Sequence, residues 1–160
     1  MSATEVAAAT EDKPAYTDPT GKGAPKVRPF TDRDHPNARM LREAHESFQQ
    51  GDFDKLFGIF ADDMVWTVPG NNALSGRFVG REAIASNFQT LSEVADTYWA
   101  YPLDYFGSDD HVVLVAHVRA TRNGKTLEED ECLLFKVRDG KLASCHHLSL
   151  DQAAWDAFFA

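Results

Sequence analysis

The chain has 160 residues, 43% of them hydrophobic, and 25 acidic side chains against 16 basic ones give a formal net charge of −9. That length supports one domain with its own core, and the acidic balance argues against nucleic acid as a partner, because phosphate binding needs clustered Lys and Arg. No apolar run reaches membrane-spanning length, and Glu5, Glu11 and Asp12 stand where a secretory leader would be basic, so a cytoplasmic protein with no membrane partner is expected.

Residues 1–36 carry Pro14, Pro19, Pro25, Pro29 and Pro36 without sustained periodicity, which predicts a flexible tail. The alternative is an arm docked across a partner subunit, with Val27, Pro29 and Phe30 as its anchors. From residue 37 to 160 one domain is expected. Met40, Leu41, Ala44 and Phe48 share a helical face that Gly51 terminates. Phe53, Leu56, Phe57 and Phe60 form a second helical stripe, which stops at Ala61-Asp62-Asp63. Val65-Trp66-Thr67-Val68 then reads as a strand, ended by Pro69-Gly70 and followed by an Asn-rich loop. Ile84, Phe88 and Leu91 mark a third helix from about Gly80 to Ser92.

The second half is rich in β formers: Tyr98–Tyr101, His111–Thr121, Leu127–Val137 and Lys141–Leu148. Asn123-Gly124 and Asp139-Gly140 are hairpin signals, so the last three strands should form an antiparallel meander. Glu128-Glu129-Asp130 reads as a solvated acidic turn. Cys132 and Cys145 lack metal-ligand spacing and read as small apolar strand fillers with reduced thiols. Trp155, Phe158 and Phe159 give a short terminal helix, with Ser149 and Gln152 spaced as a capping box. Helices preceding a mainly antiparallel sheet make the class α+β.

Several spaced segments carry a resemblance: Phe60-Ala61-Asp62-Asp63-Met64-Val65-Trp66, Pro69-Gly70, Leu74-Ser75-Gly76, Gly80-Arg81-Glu82-Ala83-Ile84 and Arg138-Asp139-Gly140-Lys141-Leu142. Together they resemble the nuclear transport factor 2-like superfamily, in its SnoaL-like, ketosteroid-isomerase-related branch. The resemblance covers about residues 37–160. It implies a cone of curved antiparallel sheet wrapped on three N-terminal helices around an apolar cavity, and a homodimer formed through the outer sheet face. The positions that resemble the steroid isomerases' base and two donors fall on Val68, Ala44 and the vicinity of Leu133, all apolar, so that chemistry is not implied. In limonene epoxide hydrolases the terminal Asp of the catalytic set falls on His147, and the Arg-x-Asp pair falls near His117 and Arg119. The late Asp of SnoaL-like cyclases has its nearest counterpart in Asp151.

The residues offer a site of their own. If Arg138-Asp139-Gly140 makes a three-residue hairpin, Val137 lies opposite Lys141 and Glu131 faces His147, on a face shared with Leu133, Phe135, Ala143 and Cys145. A carboxylate beside an imidazole fixes its tautomer, the arrangement that acid–base catalysis needs near neutral pH. A satisfied structural pair is the alternative. His117 and Arg119 alternate on one strand and face inward only if the Asn123-Gly124 turn is also of the three-residue form. Asp151 also reads as a first-turn acid of the last helix. Trp66 and Phe88 bound the expected pocket, with Val68, Leu133, Phe135 and Cys145 as further walls. His111, His117, His146 and His147 show no spacing that dictates a metal, and no cofactor is called for. Two functional classes follow: a cofactor-free acid–base enzyme acting on a small hydrophobic metabolite of polyketide or terpenoid type, by cyclisation, isomerisation, dehydration or hydrolysis; or a non-catalytic ligand-binding or structural dimer of the same fold.

Overall fold

The structure, a computed structural model, describes residues 20–23 and 35–160. Most of the expected tail, including Val27, Pro29 and Phe30, lies outside the described residues. Of its described part, Lys22 pairs with Glu128 at 2.8 Å and the Gly23 carbonyl accepts from Arg119, both on the outer face of the sheet.

The first half of the chain builds a helical layer. α1 (Pro36–Gln50) begins with His35 accepting from the Asn37 amide and ends at Gly51, whose φ of 69° is the left-handed conformation that Gly tolerates. α2 (Phe53–Ile59) follows at once, capped by Asp52, whose side chain accepts from the Lys55 amide. The chain passes directly into β1 (Phe60–Val68). The segment between β1 and the third helix, read from sequence as loop throughout, contains a short strand, β2 (Gly76–Val79), paired antiparallel with β1. Four residues lack a periodic signal, which is why they read as loop. α3 (Gly80–Val94) is two residues longer than expected.

The remaining strands are β3 (Thr97–Gly107), β4 (His111–Arg122), β5 (Lys125–Arg138) and β6 (Lys141–Ser149), and α4 (Gln152–Phe159) closes the chain. The six strands form one open sheet in the order β2-β1-β6-β5-β4-β3. The class is α+β as expected, and the sheet is antiparallel except that β1 and β6 run parallel. That pair arises because the chain reaches β6 by a long crossover through the helix and meander. Glu128, Glu129 and Asp130 lie within β5 rather than in a turn. The cap of α4 is Asp151, accepting from the Ala154 amide at 3.0 Å, and not Ser149, whose hydroxyl donates to Glu129 at 2.6 Å.

Both hairpin turns are two-residue turns. Asn123 and Gly124 have φ of 51° and 75°, Asp139 and Gly140 have 51° and 70°, and positive φ at both central residues is the turn whose twist matches that of its strands. For β4 and β5 this sets Ala116 opposite Glu131 and His117 opposite Asp130. For β5 and β6, Val137 pairs with Leu142, but Lys136 pairs with Ser144, so Ala143 is an extra residue in β6. This bulge shifts the register by one and restores the parity that the expected three-residue turn would have given. Glu131 consequently stands opposite Ser149 rather than His147, with His147 one pair away on the same face.

The inner face meets α1, α2 and α3 in the core, where Leu41, Met64, Ile84, Leu114, Leu142 and Phe159 are fully buried. α4 folds back over the end of β1. There the Asn71 amide and the Asn72 side chain both donate to Asp156, at 3.0 and 2.6 Å, and the Ala73 amide donates to the Phe159 carbonyl. The Asn-rich loop is thereby fixed as a lid edge that carries Leu74 into the core.

Candidate functional site

Between the inner sheet face and the helical layer lies a cavity of about 90 Å³, measured to the centre of a water-sized sphere. That holds several waters or one small organic molecule. Its walls are mostly apolar and include Phe60, Trp66, Val68, Leu74, Phe88, Leu133 and Phe135. Five of the expected walls, Trp66, Val68, Phe88, Leu133 and Phe135, therefore line it. Cys145 does not: it is fully buried beside Trp66 and Phe135 in the sheet, and burial pushes its thiol pKa well up, which keeps it neutral and inert. Val68, Ala44 and Leu133 all line the cavity as apolar side chains.

The polar side of the cavity is built on β5, β6 and β3. Glu131 and His147 both line it and are 1% and 6% exposed. The His147 Nε2 and a Glu131 carboxylate oxygen are 2.8 Å apart, a hydrogen-bonded buried pair. The bulge at Ala143 places the two on one face, and Ala116, opposite Glu131, leaves room for the carboxyl group. Tyr98 on β3 completes the cluster, its hydroxyl donating to both Glu131 oxygens at 3.3 and 3.4 Å. The phenol pKa is raised well above its usual value, first by burial and then by the neighbouring Glu131 charge, so it remains a donor.

The 2.8 Å contact has a consequence for the imidazole: an Nε2–H that donates to the Glu131 carboxylate leaves, in the neutral ring, the lone pair on Nδ1. Nδ1 is buried and has no hydrogen-bond partner among the described residues. The same is true of the Trp155 indole Nε1, and the two rings pack with centroids 4.5 Å apart. Two ring nitrogens on adjoining side chains, each belonging to a residue that lines the cavity, thus have no partner among the described residues, where a buried orphan costs about 1–3 kcal/mol.

Three expected catalytic residues are elsewhere. His117 and Arg119 lie on the outer sheet face, because the two-residue Asn123-Gly124 turn puts Glu131 in the inner row with Ala116 and Val118. There His117 bridges Asp130 at 2.6 Å and Glu128 at 3.2 Å, and Arg119 lies over the Tyr101 ring and bonds Glu128. Lys22 and His117 together hold the Glu128 pKa down at about 2. Asp151 is occupied in capping α4 and is not among the cavity walls.

Four polar wall residues escaped the sequence reading: Tyr98, Trp155, Asn87 and His45. His45 was legible, since Leu41, Ala44, His45 and Phe48 occupy successive positions of one helical stripe. Its Nε2 accepts from Gln49, whose amide also donates to the Ala100 carbonyl, so Nδ1–H donates to the Tyr105 hydroxyl at 3.1 Å. Burial lowers the His45 pKa to about 4, against the opposing pull of Glu131, and keeps it neutral. Asn87 donates to the Leu74 carbonyl at 3.0 Å and ties α3 to the lid loop. The Tyr98 contact depends on how far β3 extends, and the bulge between Pro102 and Asp104 hides that parity from the sequence.

Residues 41–145 match the SnoaL-like domain. The chain belongs to this family. An uncharacterised protein of Mycobacterium tuberculosis is 30% identical over 123 residues, 76% of this chain and 94% of the relative. Among solved structures, the SnoaL-like chain is similar to Bal32a, from a soil-derived mobile gene cassette, with a TM-score of 0.74 and 29% identity over 78% of this chain and 97% of the other. It also matches a candidate polyketide cyclase of Xanthomonas campestris, with a TM-score of 0.62 and 21% identity over 78% and 97% of the two chains. At that identity the likeness is one of fold, which is nuclear transport factor 2-like.

Proposed function

We propose that this SnoaL-like protein is a cofactor-free acid–base enzyme acting on a small, largely apolar metabolite with an oxygen function, of polyketide or terpenoid type. The observation that carries the reading is the buried His147, held through Nε2 by Glu131 and without a partner at Nδ1 among the described residues. A buried polar atom without a partner is uncommon in a folded protein and suits a group whose partner is the ligand. In this reading Nδ1 takes a proton from the substrate and returns it, and Glu131 stabilises the imidazolium that forms in between. The Trp155 indole N–H donates to the substrate oxygen on which charge develops. Cyclisation, isomerisation and dehydration all contain such a step. The match to a candidate polyketide cyclase of the same fold adds support at the level of reaction class alone.

The test starts with native mass spectrometry of freshly purified protein, to identify a co-purifying small molecule. With that compound, or one found by screening enolisable ketones for solvent deuterium uptake, His147→Asn should lower the rate about 10²–10⁴-fold while the fold is preserved. Binding without conversion, unchanged between the wild type and His147→Asn, would favour a non-catalytic binding protein instead.

A further inference from the structure

A second, larger depression lies outside the cavity, between α1, α2, α3 and the start of β3. On the same measure it encloses about 670 Å³, against about 90 Å³ inside. Its floor is aromatic: Phe48, Phe53, Phe57 and Phe88 contribute, and Phe53 is 39% exposed although it is a large apolar side chain. Arg81 lies at its rim, stacked over the Phe57 ring at 4.9 Å and bonded to Asp54.

Four residues, Phe48, Phe88, Leu91 and Tyr98, line both spaces. The partition between cavity and groove is therefore one residue thick at these positions. Phe88 stands at its centre, edge-on to Phe48 at 5.2 Å on one side and to Trp66 at 5.3 Å on the other. Tyr98 reaches through it, its ring shared by the groove and its hydroxyl on Glu131. A partition of side chains opens by rotamer changes, whereas one of backbone would not.

We infer that the groove is the second half of the binding site and that the ligand is bipartite. It has a compact hydroxyl- or carbonyl-bearing head of about one ring in the cavity and an uncharged alkyl or aryl tail in the groove. This deepens the proposed function and rests on its placement of the head at His147. The inner space admits only a small head. The mostly apolar, aromatic groove, edged by Gln89, Ser92, Asp96 and Thr97 and with its rim cation Arg81 paired to Asp54, suits an uncharged tail.

The experiment is a binding series with 4-alkylphenols from phenol to 4-octylphenol, read by tryptophan fluorescence and by calorimetry. It uses the wild type, His147→Asn, and Ala85→Trp, which fills the groove from α3. The expected result is an affinity for phenol that falls in His147→Asn, and a gain of about three- to fourfold per added methylene in the wild type, the fold-change for burying one CH₂. That gain should vanish in Ala85→Trp while phenol binding is kept. Phenol binding that depends on His147 without any gain along the series, or a gain that survives Ala85→Trp, overturns the groove assignment and leaves the cavity reading intact. A gain abolished by Ala85→Trp, with binding at every length indifferent to His147→Asn, would make the groove a separate site and overturn the bipartite ligand. Phenol binding indifferent to His147→Asn counts against the cavity reading itself.

Discussion

The Glu131–His147 pair can be tested through stability, without a substrate, by a double-mutant cycle to leucine, which preserves bulk at both positions. Glu131→Leu leaves the His147 Nε2–H and the Tyr98 hydroxyl without their acceptor. A buried orphan costs about 1–3 kcal/mol, and the 3.3–3.4 Å Tyr98 contact belongs at the low end, so the loss should be about 2–4 kcal/mol. His147→Leu leaves Glu131, 1% exposed, with only that long Tyr98 bond, and breaking one side of a buried pair costs about 3–5 kcal/mol. The double variant removes both members of the pair and strands only the Tyr98 hydroxyl, for a loss of about 1–2 kcal/mol. The singles should therefore sum to far more than the double, with a coupling of about 3 kcal/mol or more. Urea unfolding at pH 7, followed by tryptophan fluorescence, gives each value by linear extrapolation. Single effects that add to the double within about 0.5 kcal/mol, the behaviour of independent sites, would refute a direct pair.

Other consequences are as specific. Glu131→Gln should slow turnover of an identified substrate less than His147→Asn does, since a glutamine oxygen still accepts from Nε2 but carries no charge to stabilise the imidazolium; kinetics of the two variants decide it. His45, whose pKa falls from 6.5 unfolded to about 4 folded, takes up its proton first in the unfolded chain as pH drops. Stability should therefore be lost between about pH 6.5 and pH 4, by about 3 kcal/mol from this residue, and urea titrations of His45→Gln should show a shallower acid limb. The outer sheet face carries Leu134, Val113 and Val115, with Leu148 41% exposed beside them. Such a patch should bring two copies together, so sedimentation at micromolar concentration should show a dimer that Leu134→Glu dissociates, and a wild-type monomer would contradict it.

What the sequence made legible follows the reach of local signals. The helical stripes of α1, α2 and α3, the strand ended by Pro69-Gly70 and both hairpin turns come from contacts within a few residues, and each is present, except that Phe60, the last residue of the α2 stripe, opens β1 instead. β2 was missed because four residues carry too little pattern. The register of β5 against β6 shows the limit most clearly. Asp139-Gly140 makes a two-residue turn, which by itself would have put Glu131 and His147 on opposite faces. The extra residue at Ala143 reverses that, and nothing in Leu142-Ala143-Ser144 marks a bulge. The inward facing of the pair thus comes from the bulge and not from the three-residue turn that the sequence suggests. The same two-residue turn at Asn123-Gly124, with no bulge to offset it, sends His117 and Arg119 outward. Tyr98 and Trp155 come to the site from the two ends of the second half of the chain, and only tertiary packing brings them together.

In the proposed mechanism Glu131 fixes the His147 tautomer and leaves Nδ1 bare to act as the base. Long-range proton–nitrogen NMR of the imidazoles at neutral pH, with the His147 signals assigned through His147→Asn, reads that tautomer directly. A protonated Nε2 with a bare Nδ1, changing to a protonated Nδ1 or to an exchange-averaged pair in Glu131→Leu, is the predicted result. A wild-type His147 carrying its single proton on Nδ1 would contradict the account.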